Sequence, residues 1–192
     1  NMFENYPFWF TFFTELGYSV ALSPESSKPL YEEGLHTIPS ESLCYPAKLA
    51  HGHVARLIAQ GVLFIFYPCA AYEKKENPQS NNCYNCPIVT SYPENIRNNV
   101  EEIRRKNVDF LNPFISFADE KKLIKRLQSI FKPYGISARE TAIAAKKAFE
   151  EAERARADIR KKGEETLQWL RREKKDGIVL AGRPYHIDPE IH

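Results

Sequence analysis

The sequence predicts an α/β fold, a parallel sheet flanked by helices, with a long C-terminal connecting helix. Three observations predict it. Val62-Leu63-Phe64-Ile65-Phe66-Tyr67 is a continuous apolar run closed by Pro68, and a β-forming run without alternation is expected where a strand is covered on both faces, as between two helical layers. Shorter runs of this kind alternate with segments of helical period, the rhythm of an α/β unit. From Ser137 the composition changes to Ala, Glu, Lys and Arg as far as Lys174, opened by the capping box Ser137-Ala138-Arg139-Glu140, which predicts one long helix.

Taken in order, Pro7 is pre-set for a first helical turn, with Phe8, Phe12 and Leu16 on one face and Gly17 as the stop. Residues 19–22 read as a short buried strand and 23–29 as a polar loop punctuated by Pro24 and Pro29. A turn near 31–34 and the proline-interrupted stretch from Ile38 to Pro46 lead into a second helix over 46–60. There Leu49, Val54, Leu57 and Ile58 recur at helical spacing and Gly61 ends the run. After the strand at 62–67, residues 70–86 form a long polar loop, of the kind compact domains keep for function or leave disordered. A short strand at 88–90, a helix over 94–105, a strand at 108–111 ending at Asn112-Pro113 and a helix capped by Asp119 towards Phe131 follow.

The apolar positions of the long helix, Ala142, Ala145, Phe149, Ala152, Ile159, Leu167 and Leu170, are few and small, so it is expected to connect two bodies and keep much of its surface in water. Asp176-Gly177 then turns the chain into a strand at 178–182. The expected organisation is an α/β domain with a cysteine site over 1–135, the connecting helix over 136–175 and the start of a second α/β unit over 176–192. With no strand before its first loop and only ten residues after Gly182, the chain reads as a fragment of a larger polypeptide.

Charge and composition exclude several function classes. The 27 basic and 25 acidic residues leave a net charge of +2, which gives no field to attract nucleic acid or an anionic membrane. The basic residues of the long helix alternate with Glu and read as a solvated face. No apolar run approaches the ~20 residues of a membrane span. The aromatic stretch 8–13 lacks the basic flank and small-residue cleavage site of a signal peptide, so a cytoplasmic protein is expected. There is no G-x-G-x-x-G, P-loop or Ser-His-Asp pattern, and no nucleotide is expected in this segment. In the cytoplasm, four cysteines point to metal ligands or redox thiols ahead of disulfides.

Sites in a doubly wound sheet form beyond the carboxyl ends of the strands. Cys69 lies two residues past the strand at 62–67, Cys44 in the loop ahead of the helix at 46, and Cys83 and Cys86 close the long polar loop. Three or four thiols are therefore expected at one edge. Cys83-Tyr84-Asn85-Cys86 is a C-x-x-C pair shared by zinc ribbons, thiol redox sites and iron–sulfur sites. Cys44 and Cys69 are single and far apart, which suits a cluster held between loops better than a zinc knuckle, and Cys86-Pro87 adds to this. Spacing alone leaves buried inert thiols, metal or cluster ligands, and a Cys83/Cys86 disulfide switch all open. His51 and His53 lie on different faces of the helix after Cys44, one expected to pack and one to be exposed, each a candidate fourth ligand or proton donor. Ser40-Glu41-Ser42 and Arg183-Pro184-Tyr185-His186 are further candidates for the same edge, against plain turns.

Several motifs carry a resemblance: Asn5-Tyr6-Pro7-Phe8-Trp9, Pro39-Ser40-Glu41-Ser42-Leu43-Cys44-Tyr45-Pro46-Ala47-Lys48, His51-Gly52-His53, Phe66-Tyr67-Pro68-Cys69, Asn85-Cys86-Pro87-Ile88-Val89-Thr90-Ser91-Tyr92-Pro93-Glu94, and Ala181-Gly182-Arg183-Pro184-Tyr185-His186-Ile187-Asp188-Pro189. The chain resembles, nearly end to end, the uncharacterised domain of acyl-CoA dehydratase activase-related proteins. Those resemble fusions of an ATP-dependent activase with a region related to 2-hydroxyacyl-CoA dehydratase subunits, whose Rossmann-like domains hold a 4Fe-4S cluster through three cysteines. The resemblance implies a cluster ligated by Cys44, Cys69 and Cys86, with Cys83 a less secure neighbour. It also implies a low-potential electron received from an ATP-dependent activase, for radical dehydration or reduction of an acyl-CoA-like substrate. A structural zinc or scaffold module docking to the activase is the alternative.

Overall fold

The computed structural model describes residues 2–191. The predicted class is what is observed: a mixed α/β protein with short parallel strands between helical layers and one long helix towards the C-terminus. The helices are α1 (Tyr6–Glu15), α2 (Lys28–Gly34), α3 (Tyr45–Ala59), α4 (Pro87–Asn99), α5 (Glu101–Arg105), α6 (Glu120–Phe131) and α7 (Ala138–Glu173). The strands are β1 (Phe64–Phe66), β2 (Cys69–Tyr72), β3 (Asp109–Leu111) and β4 (Phe114–Ser116). Among the described residues no helix is long and apolar enough to cross a membrane.

β1 pairs with β3 and β2 with β4, both parallel, and Phe64↔Asp109 and Cys69↔Phe114 keep one offset of 45 residues. The two pairs are thus one ladder interrupted at the same level on both strands. The interruptions are Pro68 and Pro113, which have no amide proton to give the ladder. Hydrogen bonds from Tyr67 N to Leu111 O (3.0 Å) and from Cys69 N to Pro113 O (2.9 Å) carry the pairing across the break. α4 and α5 form the crossover that a parallel pair requires.

Successive side chains of β1 go to opposite faces. Phe64 and Phe66 join an aromatic core with α1, α6 and the first half of α7, around Phe8, Phe12, Leu127 and Phe131. Ile65 and Tyr67 join a second core with Val54, Ile58, Tyr92, Ile96 and Phe110, under α3 and α4. Trp9 packs on Phe66 with ring centroids 4.6 Å apart, and Phe8 on Phe149 at 4.8 Å. The strand at 62–67 is covered on both faces, as its lack of alternation predicted.

α2 and α3 meet backbone to backbone. A Cβ on Gly52 would lie 1.9 Å from the Leu30 carbonyl oxygen, and one on Gly34 2.3 Å from the Gly52 nitrogen. α7 begins with the predicted capping box, Ser137 Oγ accepting from Glu140 N (3.2 Å) and Glu140 Oε2 from Ser137 N (2.9 Å). Only Thr141, Ala144, Ala145, Ala148 and Ala152 are buried along it, so its second half is solvated.

Several local expectations are corrected. Residues 19–22 form no strand; they are extended, and Tyr18 and Val20 pack at the edge of the aromatic core instead. The polar loop and turn over 23–34 contain α2, because Ser27 caps it (Leu30 N to Ser27 Oγ, 3.3 Å) and Pro29 fits its first turn. The strand expected at 88–90 is the first turn of α4: a Cys86 cap and Pro87 override the β-preference of Ile88, Val89 and Thr90. The expected helix over 94–105 is the end of α4 and α5, parted at Val100. Residues 70–72 are strand rather than loop, and β4 follows Pro113. Residues 178–182 are not a strand: no strand among the described residues pairs with them, and Ile178 is 92% and Val179 89% exposed.

Candidate functional site

Two helices have a cysteine at the N-cap position, of which only Cys86 makes a side-chain capping bond. Cys44 is the N-cap of α3 and Cys86 that of α4, where its Sγ accepts from Val89 N at 3.4 Å. Each cysteine is followed within two residues by a proline that pre-sets the first turn. α3 and α4 touch, and the free amides of their first turns carry the positive ends of two helix dipoles. Asn85 fixes the loop that delivers Cys86: its Nδ2 donates to Ala70 O (3.0 Å) and Glu73 Oε1 (2.7 Å), and its N to Ala71 O (3.0 Å). Asn5 Nδ2 donates to Glu73 Oε2 (3.1 Å), tying the loop to the start of α1.

Cys69 occupies a different position from the one expected. It is not beyond the strand but the first residue of β2, where the ladder resumes after Pro68, and it is fully buried beneath α4. Burial pushes its thiol up to about 11; the Glu94 carboxylate adds to this, and the Glu94 backbone amide opposes it. Cys44 is exposed, and Cys83 and Cys86 are half-buried. All four cysteines are free thiols.

Tyr92 and Tyr67 link three of these cysteines. Burial raises the Tyr92 phenol, and negative charge at Cys44, Tyr67 and Cys86 raises it further; Tyr67 is raised by burial and by Cys69. Cys83 is set apart: its carbonyl accepts from Glu73 N (2.9 Å), and its charge acts on Tyr72, whose ring packs tilted against Tyr84 with centroids 4.7 Å apart. Among the described residues no three His, Cys, Asp or Glu side chains come close enough together to hold a single metal ion. The spacing predicted three or four thiols at one edge; the described residues do not bring them together at one point.

Of the two histidines, His51 packs, as one of the pair was expected to, but His53 is half-buried rather than exposed. Thr37 Oγ1 donates to Gly34 O (2.8 Å) and lies 2.7 Å from His51 Nδ1. One hydroxyl carries one proton, so His51 Nδ1 is the donor in that contact and Nε2 holds a lone pair. Burial holds the imidazole down at about 4, and it is neutral near pH 7. Nε2 has no hydrogen-bond partner, and neither has the Tyr92 hydroxyl; their ring centroids are 6.5 Å apart. Buried polar atoms left unmatched are costly, and among the described residues His51 Nε2, the Tyr92 hydroxyl and Asn112 Nδ2 are so placed. Cysteine is the ligand type of an iron–sulfur cluster, but the described thiols are not gathered as a ligand set at one point.

His53 is satisfied differently. Its Nδ1 meets Ser23 Oγ (2.7 Å) and its Nε2 Ser26 Oγ (3.1 Å), while Ser26 donates to Asp188 Oδ2. Tyr45 OH donates to Glu190 Oε1 at 2.8 Å. The segment after the Pro184–Ile187 turn thus docks on α2 and α3 beside Cys44, although no strand precedes it. Arg183 caps the turn and is exposed. Ser40 and Ser42 bond each other (2.8 Å) in an exposed turn, the plainer of the two readings of Ser40-Glu41-Ser42. Sequence reasoning missed Tyr92, Tyr67 and Asn85 as site residues; the signal was their place within the cysteine motifs, Asn85 directly before Cys86 and Tyr92 six residues after it.

No curated protein and no solved structure matches this chain. A family model described as the CoA enzyme activase uncharacterised domain (DUF2229) matches residues 1–192, the whole of it. The chain belongs to that family, the one its motifs resemble.

Proposed function

We propose that this chain is the iron–sulfur cluster-bearing domain of an acyl-CoA dehydratase activase-related protein. What supports the reading is the family match, together with the place of Cys44 and Cys86 at the N-cap positions of α3 and α4, two helices that touch, and the burial of Cys69 beneath α4. Cys44, Cys69 and Cys86 would hold the cluster, with Cys83 as a neighbour. A 4Fe-4S cluster, when bound, supplies one-electron chemistry at low potential.

The chain's own residues shape that chemistry. Asn85 and the proline-led first turns of α3 and α4 orient the thiols of Cys44 and Cys86. The two helix N-termini bring positive potential to an anionic group. Cys69 ligates from beneath α4 and must give up its proton to do so. The electron donor is proposed to be an ATP-dependent activase, and the acceptor an acyl-CoA-like substrate undergoing radical dehydration or reduction. Residues 1–135 form the cluster domain, 136–175 the connector and 176–192 the start of a further α/β unit, in a cytoplasmic protein.

Anaerobic reconstitution with iron and sulfide tests this. Broad visible absorption with iron and sulfide bound in equal amounts, lost in Cys69→Ala, is expected. Stoichiometric, colourless zinc in place of iron would instead make the chain a structural zinc or scaffold module docking to the activase.

A further inference from the structure

The segment that follows α7 is anchored at two points and free between them. At the first the chain turns back through Lys174, with Lys175 N donating to Leu170 O (3.0 Å) and Lys175 Nζ lying 4.9 Å from the Trp169 ring. Ile178, Val179 and Leu180 then stand in water. The second anchor is residues 184–191, where Tyr185, His186, Ile187 and Pro189 are exposed and Asp188, Glu190 and Ile191 half-buried. What meets the body there is mainly carboxylate. Asp188 accepts from Ser26, just ahead of α2, and Glu190 Oε1 accepts from Tyr45 OH of α3 (2.8 Å). Proton counting fixes the direction of the first of these contacts. Ser26 gives its one hydroxyl proton to Asp188, so it accepts from His53 Nε2 at 3.1 Å. Burial holds the imidazole below its usual range, against the pull of Asp188, and the ring is neutral near pH 7. Nδ1 is then the lone-pair nitrogen and accepts from Ser23 Oγ (2.7 Å). Ser23, His53 and Ser26 thus form one chain of donors that ends on Asp188.

We propose that residues 184–191 are a releasable strap, clasped by its two carboxylates to Ser26 and Tyr45, whose opening frees residues 178–191 while the α/β body stays folded. Ordering a chain segment costs entropy at every residue, and the strap buries little apolar surface to offset it. Hydrogen bonds to charged acceptors are the strong kind. Two of them hold the strap, and losing either shifts it towards release. Segments held by so few contacts open locally, at a free energy below that of global unfolding. Clasped, the strap fixes the path of the chain from the end of α7 to α3; released, it lets the exposed, β-forming residues 178–182 move. The clasp involves none of the four cysteines, so it is independent of the cluster reading.

The test is amide hydrogen exchange of the whole chain, read by mass spectrometry on peptides covering 184–191 and, as the reference, α6. In the wild type the strap is expected to exchange well before α6. Exchange of both together would make docking inseparable from the fold and overturn release. Ser26→Ala and Tyr45→Phe each remove one latch from the body side and leave the strap's own sequence, and so its intrinsic exchange rates, unchanged. Each is expected to speed exchange of the strap amides, those of His186, Asp188 and Ile191 among them, by about tenfold, and the double variant by more. Strap exchange at the wild-type rate in the double variant would overturn the clasp. If the double variant does not fold, the two single variants decide by the same criterion.

Discussion

Replacing Gly52 by alanine sets two elementary effects against each other. Gly52 lies in the middle of α3, where alanine is favoured over glycine by about 1 kcal/mol, so propensity alone expects a more stable protein. The structure expects the reverse. The new Cβ would lie 1.9 Å from the Leu30 carbonyl oxygen, against an ordinary carbon–oxygen contact of about 3.3 Å. The obstacle is backbone, which no rotamer change relieves, so α2 and α3 must part by more than about 1 Å. Overpacking of this kind costs about 1–3 kcal/mol or more. Taking the upper part of that range, the net loss is about 2 kcal/mol. With a urea dependence of about 2 kcal/mol per molar, the unfolding midpoint falls by about 1 M at unchanged slope. Gly163→Ala is the control: nothing lies within 4 Å of a Cβ there, and its helix signal should be stabilised by up to about 1 kcal/mol. A Gly52→Ala midpoint equal to or above wild type would refute the close crossing of α2 and α3, and with it the seating of His51 against Thr37.

Three further outcomes follow from the buried groups and the caps. His51 sits at about 4 in the fold against 6.5 unfolded, so its contribution is fully present above pH 6.5 and lost as pH falls towards 4. At about 1.4 kcal/mol per unit the loss is about 3 kcal/mol, and urea midpoints of His51→Gln should decline less over that window; parallel declines would count against it. Cys69 sits at about 11 against 9, so its contribution is present below pH 9 and lost as pH rises to 11, by about 3 kcal/mol; a Cys69→Ala variant should show a flatter alkaline limb in the same titration. Ser137→Ala removes one half of the capping box and leaves Glu140 N without its acceptor. A loss of about 1 kcal/mol is expected from thermal unfolding, and no change would mean that the first turn of α7 is fixed by packing alone.

How much of this was legible in the sequence follows from the range of each interaction. Helix ends governed by neighbouring residues were readable: the Ser137 box, the Asp119 cap and the start and stop of α3 are decided within a few positions. The apolar run at 62–67 showed its two-sided burial because lack of alternation is itself a tertiary signal. Strands were misread where pairing decides. Residues 178–182 have β-forming side chains and no partner strand among the described residues, and 88–90 have the same preference but begin a helix. Propensity reports how a side chain fits a pleated surface, and it cannot say that another strand is there to pair with.

The site shows the same division more sharply. Cys44 and Cys86 were expected in loops that lead into helices, and both stand at helix N-caps, a position decided by the residues next to them. Cys69 was misplaced, because Pro68 reads as the end of a strand that resumes one residue later. Only the register shows why: Pro113 interrupts the partner strand at the same level, so both strands break and resume together. Cys69 is therefore held within the sheet and under α4, which makes it the one deeply buried thiol, and burial pushes its pKa up. The unmatched atoms of Tyr92 and His51 were invisible in the sequence for a related reason. An aromatic at helical spacing reads as core, and both are in the core; what distinguishes them is one unmatched polar atom each, and a missing hydrogen-bond partner is a property of the assembled structure alone.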